Sequence, residues 1–417
     1  MKFSEFGQRF AGASGIVDLM DDLGRALNEN PQMIFMGGGN PARIPEVESV
    51  FKQRLQSIID DPQQLHTLTG IYQSPQGDRG FLRDIAQLLK RQLGREVTEH
   101  NVAVSNGSQP AFFVLYNMLA GHMSDGGYRS VHLPLTPEYI GYSDLGLSAN
   151  MFSSTRPEIE FLEDDLFKYR VDFSNLQVNE NTAALCVSRP TNPTGNVLTD
   201  NEVEHLDSIA EAGGVPFIID GAYGLPFPGI LFNHAKPHWN SNTILVLSLS
   251  KLGLPGVRTG VVVANEEVIQ AFRNANTVLS LACGNLGPML VRELIRTDEL
   301  VALGSSVIRP FYRERAQQTV DWIRGALRDI PLRIHKPEGA IFLWLWFEGL
   351  PITSQELYLR LKKRGVLVVP GHNFFPGMDN GWRHQQECIR ISYAQDPDIV
   401  KAGVHLIAEE VIKAYRE

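Results

Sequence analysis

The chain has 417 residues, 43% of them apolar, and a chain of this length and composition can bury a sizeable core in more than one domain. Its 38 basic and 47 acidic residues leave a formal charge of −9, which disfavours nucleic acid and anionic membranes as partners. The three cysteines fit neither a disulfide framework nor a zinc knuckle, and no apolar run approaches the roughly 20 residues of a bilayer span, so we expect a cytoplasmic protein.

Apolar residues that recur at three- and four-residue intervals predict helices over residues 80–94, 202–213 and 396–417. Short apolar runs bounded by turn residues predict buried strands over residues 101–105, 182–188, 214–220 and 243–250. This alternation indicates an α/β fold with a mostly parallel sheet sandwiched by helices. Ligands of such sheets bind beyond the carboxyl ends of the strands, and polar segments follow all four of these runs.

The pattern changes in the last third of the chain. Long amphipathic helices alternate there with strands around Phe342 and over residues 387–394, which is typical of a separate, smaller α+β domain. We therefore expect an N-terminal segment over residues 1–45 that packs with the small domain. A large domain over residues 46–299 and a small C-terminal domain over residues 300–417 would follow it.

One of the predicted strands leads to Lys251, which Ser248 and Ser250 precede and Arg258 follows. Partial burial and a nearby second cation would lower the pKa of this lysine toward the neutral amine that attacks a carbonyl. The hydroxyls and the arginine are groups that bind phosphate, so the segment favours a cofactor aldehyde with a phosphate close by. An ordinary surface lysine after a strand is the alternative.

Another strand leads through Asn106, Gly107, Ser108 and Gln109 into a helix. The free N–H groups and the positive end of the helix dipole would form an anion-binding cup, with Gly107 letting the backbone approach. Many such turns use glycine and serine only as helix caps. The segment therefore indicates a phosphate site only in combination with the other polar segments of the chain.

Two further strands end at polar side chains. Asp220 follows one of them, and a carboxylate there can keep a pyridine nitrogen protonated, while Tyr223 could hydrogen-bond a phenolic oxygen of the same ring. Asn192 lies in an N-P-T-G turn whose proline and glycine fix the backbone. Alternatively, Asp220 is a helix cap, Tyr223 packs in the core and Asn192 belongs to an ordinary tight loop.

An aromatic residue and a buried arginine complete the set. Tyr139 could stack on a flat heterocycle, although Tyr139 and Tyr142 could equally be packing residues. Arg390 lies in an otherwise apolar strand, where an unpaired charge is too costly, so it must bind an anion or form a structural salt bridge. A substrate α-carboxylate is the functional interpretation.

Together these residues resemble those of the fold-type I aminotransferases of the aspartate aminotransferase superfamily, over nearly the whole chain. The resemblance implies pyridoxal 5′-phosphate as cofactor, with Lys251 as the catalytic lysine that tethers it and transfers the proton. It implies cofactor-binding roles for Asn106, Gly107, Ser108, Gln109, Tyr139, Asn192, Asp220, Tyr223, Ser248, Ser250, Lys251 and Arg258. It implies substrate-binding roles for Gly38, Gly39, Asn192 and Arg390.

The resemblance also implies a homodimer with shared active sites, in which Tyr72 reaches the phosphate bound by the neighbouring subunit. One departure is that Arg258 follows Lys251 by seven residues where many relatives have eight, so the loop between them must be tighter. The segments MGGGNPARIP, YQSPQG and PGHNFFPG are most similar to the bacterial branch that exchanges amino groups between valine and pyruvate.

The expected substrates are small neutral or branched amino acids, with valine and alanine as donors and pyruvate and 3-methyl-2-oxobutanoate as 2-oxo acids, in ping-pong order. A second anionic group on the substrate would need another basic anchor, and residues 277–290 contain none. Phe374, Phe375 and Trp382 are candidate pocket walls or plain packing.

Other functions remain open. A β-lyase or synthase could use the same lysine, aspartate and arginine. A cofactor-sensing regulator is disfavoured because no DNA-binding module precedes Met36. His234 and His238 have metal-ligand spacing but no third ligand, so we predict no metal.

Overall fold

The computed structural model describes residues 1–11, 15–379 and 381–417. The described residues form thirteen α-helices: α1 Glu5–Ala11, α2 Gly15–Glu29, α3 Pro45–Asp60, α4 Pro62–Gly70, α5 Arg79–Leu93, α6 Ser108–Leu119, α7 Asp200–Ala212, α8 Glu266–Ser280, α9 Leu286–Arg296, α10 Glu299–Leu303, α11 Arg309–Ala326, α12 Ser354–Lys363 and α13 Pro397–Arg416. Their strands are β1 Ile34–Phe35, β2 Val102–Ser105, β3 Gly121–His122, β4 Tyr128–Leu133, β5 Phe152–Ser154, β6 Glu158–Phe161, β7 Leu166–Arg170, β8 Thr182–Ser188, β9 Phe217–Asp220, β10 Thr243–Ser248, β11 Gly260–Val263, β12 Leu332–His335, β13 Phe342–Phe347, β14 Val366–Leu367, β15 Val369–Pro370 and β16 Cys388–Ser392.

The three predicted helices and four predicted strands are all present. Helix α5 begins where the Asp78 side chain accepts a hydrogen bond from the Phe81 N–H, and it ends at Gly94, whose φ is 63°. Helix α7 starts two residues before the predicted range, because Thr199 and Glu202 form a reciprocal capping box. Local side-chain chemistry thus sets these helix ends.

The larger sheet has the strand order β2-β11-β10-β9-β8-β4-β3, with β5 also paired to β4. Strands β10, β9, β8 and β4 run parallel to their neighbours in that series, whereas β11 is antiparallel to both β10 and β2. Alternate residues of β10 face two different cores, with Leu245 and Leu247 on one side and Ile244 and Val246 on the other. The predicted mostly parallel sheet sandwiched by helices is confirmed.

The second sheet has the order β15-β16-β13-β12-β7-β6 and is largely antiparallel. Its strands β7 and β6 come from residues 158–170, far from the C-terminal strands that they join. Helices α11, α12 and α13 pack together beside it. Near the N-terminus, β1 pairs in parallel with β14, so residues 34–35 lie against the C-terminal part of the chain.

In the part of the chain that the structure describes, no helix combines the length and apolar character needed to cross a membrane.

Candidate active site

A cavity of about 420 Å³ lies at the carboxyl ends of the parallel strands. Most of the residues predicted from the sequence line it: Gly38, Gly39, Ser108, Gln109, Tyr139, Asn192, Asp220, Tyr223, Ser248, Ser250, Lys251, Arg258 and Arg390. Three others, Tyr72, Asn106 and Gly107, do not line this cavity. The chain therefore brings segments from its N-terminus, its centre and its C-terminal sheet to one place.

Lys251 lies in a short 3₁₀ turn, Ser250–Leu252, immediately after β10. Its Nζ donates a hydrogen bond of 2.6 Å to the Gly39 carbonyl and lies 5.3 Å from the centre of the Tyr223 ring. Burial lowers the pKa of Lys251 to about 8, and the positive charge of Arg390 adds to this effect. This lowered pKa makes more of the nucleophilic free amine available near neutral pH than an ordinary lysine would have.

Asp220 ends β9 and is buried, with only 8% of its surface exposed. Its Oδ2 accepts a hydrogen bond of 2.7 Å from the Tyr142 hydroxyl, and its Oδ1 accepts one of 2.9 Å from the Ala222 N–H. Burial raises the pKa of Asp220 above its usual value, while these two hydrogen bonds act in the opposite direction. Tyr142 is thus a site residue whose bond to Asp220 was not predicted, since the sequence suggested packing.

The cup at the start of α6 is built around two glycines. Gly107 has a φ of +104°, and a Cβ at this position would lie 2.4 Å from Nη2 of Arg258. A Cβ on Gly260 would lie 2.8 Å from the Ser108 nitrogen. Gly107 thus lets the Arg258 guanidinium approach the start of α6, and Gly260 lets β11 approach the same turn. A guanidinium beside a helix N-terminus suits a phosphate.

Asn106, at the start of the cup segment, bonds to a neighbouring loop. Its Oδ1 accepts a hydrogen bond of 3.1 Å from the Gly284 N–H, so the side chain fixes the loop before α9. Tyr72 is 83% exposed on this chain.

Arg390 lies on β16 and is buried beside two aromatic rings. The centre of its guanidinium is 4.2 Å from the Phe342 ring centre and 5.1 Å from that of Phe374. Its Nη1 donates to Asn192 Oδ1 at 2.8 Å and its Nη2 to the Gly37 carbonyl at 2.6 Å. The buried Nε has no hydrogen-bond partner among the described residues.

Arg390 forms no ion pair with a described carboxylate. The alternative of a structural salt bridge is therefore not seen, and the guanidinium has bonding capacity left for an anion in the cavity. Burial lowers the pKa of Arg390 to about 10, so the side chain is still charged at neutral pH.

Phe374, Phe375 and Trp382, candidate pocket walls or packing residues, do not line the cavity. Phe374 packs on Trp344, and Trp382 stacks on His384 with a 4.5 Å separation of ring centres. Phe375 contacts Trp382 in the same cluster. The apolar side of the cavity is formed instead by Met20, Leu23, Phe35, Ile140 and Val369.

The histidines with metal-ligand spacing have a structural role at least in part, because His238 Nε2 lies 3.0 Å from Asp207 Oδ2. Over residues 1–11, 15–379 and 381–417, no cluster of three or more metal-ligating side chains was found.

Comparison with known proteins gives a consistent assignment. Residues 158–406 match the family Aminotransferase class I and II. The chain is 50% identical over 417 residues, all of both chains, to the valine–pyruvate aminotransferase of Escherichia coli strain K12.

Solved structures agree with this sequence match. A putative amino-acid aminotransferase from Psychrobacter arcticum 273-4 has a TM-score of 0.98 at 44% identity, covering 100% of each chain. The valine–pyruvate aminotransferase of Salmonella typhimurium LT2 has a TM-score of 0.89 at 48% identity, covering 97% of this chain and 100% of that one. A Thermus thermophilus aspartate aminotransferase, at 19% identity and a TM-score of 0.78, shares the fold. The protein therefore belongs to the class I and II aminotransferase family and has its fold-type I architecture.

Proposed function

We propose that this protein is a pyridoxal-phosphate-dependent aminotransferase that exchanges an amino group between valine or alanine and a small 2-oxo acid, pyruvate or 3-methyl-2-oxobutanoate. The observation that supports this most strongly is the convergence of Lys251, Asp220 and Arg390 on one cavity. The 50% identity to a valine–pyruvate aminotransferase over the full chain supports the choice of substrates.

The cavity fits the cofactor that the family uses. The two-glycine cup with Ser108 and Arg258 suits a phosphate, and the buried carboxyl of Asp220 suits a protonated ring nitrogen. Tyr139 would stack on the ring, and Asn192 and Tyr223 would bind its phenolic oxygen. Ser248, Ser250 and Gln109 would complete the surroundings of the phosphate. When bound, pyridoxal phosphate supplies an aldehyde that links to amines and a ring that accepts electrons from the substrate α-carbon.

Lys251 would provide both the link and the proton transfer. Its neutral amine would hold the cofactor through the aldehyde, and the free amine would take up and release the proton of the substrate α-carbon. The pKa of about 8 keeps this amine able to work in both directions near neutral pH. The hydrogen bond to the Gly39 carbonyl holds Nζ at the cavity before the aldehyde arrives.

Arg390 would bind the substrate carboxylate. Its two bonds to uncharged oxygens, on Asn192 and Gly37, can be exchanged for or supplemented by stronger bonds to a carboxylate. The glycines at positions 38 and 39 line the cavity between this arginine and Lys251. The apolar wall suits an uncharged side chain, since the described cations of the lining, Lys251, Arg258 and Arg390, all have other roles.

We also propose a cytoplasmic homodimer. Exposed apolar side chains support the dimer: Ile71, Tyr72, Val278, Leu279 and Leu281. The segment after Tyr72 and the end of α8 lie beside each other, since Ser74, Gln76, Arg273 and Thr277 line one surface pocket. A second subunit that covers this surface would bring Tyr72 toward the neighbouring phosphate.

The function is tested by recording the visible absorption of the purified protein with pyridoxal phosphate. L-valine should bleach the band of the lysine-bound cofactor, pyruvate should restore it, and alanine and 3-methyl-2-oxobutanoate should appear as products. Lys251→Ala should show neither the band nor turnover. Bleaching without recovery, with release of ammonia, would instead support a lyase.

A further inference from the structure

A second buried carboxyl group lies next to the cavity, and the roles proposed above do not use it. Glu138 is 0% exposed. Its Oε1 accepts a hydrogen bond of 2.7 Å from the Ser188 N–H, and its Oε2 makes a short contact with the Ser188 hydroxyl. The Tyr139 N–H also donates to Oε2, at 3.2 Å. The carboxyl group therefore joins the end of β8 to the residue that would stack on the cofactor.

Glu138 also connects to the substrate side of the cavity. Its own N–H donates a hydrogen bond of 2.8 Å to the carbonyl of Phe374, whose ring packs on the Arg390 guanidinium. On the side of Ser188, the carbonyl of that residue accepts a hydrogen bond of 3.0 Å from Thr191 Oγ1, and Thr191 precedes Asn192. One buried residue thus links the segments that position Tyr139, Asn192 and Arg390.

The surroundings of Glu138 disfavour a negative charge on it. No described lysine, arginine or histidine forms an ion pair with this carboxyl group. The titratable groups that interact with it are all acids, namely Asp220 on β9, Cys186 on β8, Tyr116 on α6 and Tyr142. An ionised carboxylate buried without a counter-charge is costly, and such groups take up a proton instead.

Of the two neighbouring carboxyl groups, Asp220 is better suited to hold the charge. Hydrogen bonds lower the pKa of both groups, but Asp220 also has the nearby Lys251 charge, which favours its ionised form. Burial is the main cause that raises the pKa of Glu138 to about 8, and the Asp220 charge adds to it. The Ser188 hydroxyl donates to Oε2 in the structure, and in the neutral acid this bond would reverse, with the carboxyl proton donated to Ser188 Oγ.

We propose that Glu138 is a positioning residue that acts as a neutral carboxylic acid, holding Tyr139 and the loop from Ser188 to Asn192 in place. Asp220 is thereby left as the charged carboxyl group of the pair, available to the ring nitrogen of the cofactor. This role rests on the proposed cofactor, but the protonation of Glu138 can be tested without it.

The first test is difference infrared spectroscopy of the full-length protein without cofactor. The spectrum of the wild type minus that of Glu138→Gln should contain the carbonyl stretch of a neutral carboxylic acid at pH 7. The band should disappear as the pH rises through about 8. Glu338→Gln is the matched control, because Glu338 is a buried glutamate that pairs with Lys168 and so has the counter-charge that Glu138 lacks.

The second test measures binding of N-(5′-phosphopyridoxyl)-L-valine, which needs no covalent link to Lys251. Glu138→Gln preserves the size and neutrality of the side chain, whereas Glu138→Ala removes every bond to Ser188 and Tyr139. We expect the alanine variant to bind at least about tenfold more weakly than the glutamine variant, as for the loss of one buried hydrogen bond.

The outcomes separate the possibilities. Absence of the acid band, or equal losses of binding affinity in the glutamine and alanine variants, would contradict the proposal that Glu138 acts as a neutral acid. If Glu138→Gln does not fold, Ser188→Ala replaces it, and the acid band should shift because the hydroxyl partner is gone. Failure of the protein to transaminate valine would leave the infrared result unaffected.

Discussion

The hydrogen bond from Tyr142 to Asp220 is the residue contact with the most direct consequence for the cofactor. The phenol stabilises the ionised form of Asp220, so its removal should raise the pKa of Asp220 and shift the shared proton from the ring nitrogen to the carboxyl group. We expect Tyr142→Phe to weaken binding of pyridoxal phosphate about tenfold or more, since hydrogen bonds to charged groups contribute about 1.5–3 kcal/mol. The dissociation constant is measured by equilibrium titration.

Tyr116→Phe is the matched control for this prediction. Tyr116 belongs to the same aromatic cluster, with its ring centre 5.5 Å from that of Tyr142, but its hydroxyl contacts Cys186. Equal losses of affinity in the two variants would show that packing of the cluster matters and that the bond to Asp220 does not.

The lowered pKa of Lys251 leads to a prediction about pH. Only the neutral amine attacks the cofactor aldehyde, so the rate of cofactor capture should rise about tenfold per pH unit below the pKa and level off above about 8. Arg390→Gln removes a nearby positive charge and should move this plateau to higher pH. Stopped-flow absorbance gives the rates, with exposed Arg416→Gln as control. If the plateau of the Arg390 variant were unchanged, the Arg390 charge would have no part in lowering the pKa of Lys251.

At this scale, sequence reasoning identified residues whose chemistry is visible in a short segment. Lys251, Asp220 and Arg390 each follow or lie in a recognisable strand. The bond of Tyr142 and the position of Glu138 depend on contacts between segments about 50 or more residues apart, and no local pattern encodes such contacts. For the same reason the bond between Asn106 and Gly284 could not be predicted.

Among the secondary-structure elements, helix α2 connects the cavity to helix α12. Leu23 is buried against the cavity, while the adjacent Asp22 forms an ion pair of 2.5 Å with Lys362 on α12 and also bonds to the Tyr358 hydroxyl. We expect Asp22→Asn to raise the KM for valine about two- to fivefold, since a partly exposed ion pair contributes up to about 1 kcal/mol. The kcat should change less.

Hydrogen exchange of the α2 amides provides a readout that is independent of activity, and it should become faster in the same variant. Asp21→Asn is the control, because Asp21 is exposed on the same helix. If both substitutions had the same effect on exchange and KM, the ion pair would have no part in holding the helix.

The periodicity of apolar residues predicts that a strand is present but does not predict where the strand ends. The predicted strand over residues 243–250 ends at Ser248, whose partner Gly260 is the first residue of β11, and the chain then turns to present Lys251. This end is set by pairing with a strand that comes later in the sequence. The strands β6 and β7 likewise join the C-terminal sheet through a pairing of residues that are far apart in the chain.

For the whole molecule, the proposed dimer would make the surface near Tyr72 part of the cofactor site. Val278 is 89% exposed, which is unusual for a valine and is expected of a residue that a second subunit covers. Val278→Asp should leave the fold of one subunit intact, because the side chain contacts little within it. In a twofold dimer the substitution would bury two unpaired carboxylates, each costing several kcal/mol.

We therefore expect Val278→Asp to sediment as a monomer at concentrations where the wild type is a dimer, and to bind pyridoxal phosphate more weakly because Tyr72 of the neighbour is lost. Ile399→Asp, at a 43% exposed position on α13, is the control and should change neither property. Thermal unfolding followed by circular dichroism checks that both variants fold. A Val278→Asp protein that still sediments as a dimer would place the interface elsewhere, and a monomer with undiminished cofactor affinity would show that each cavity is complete without its neighbour.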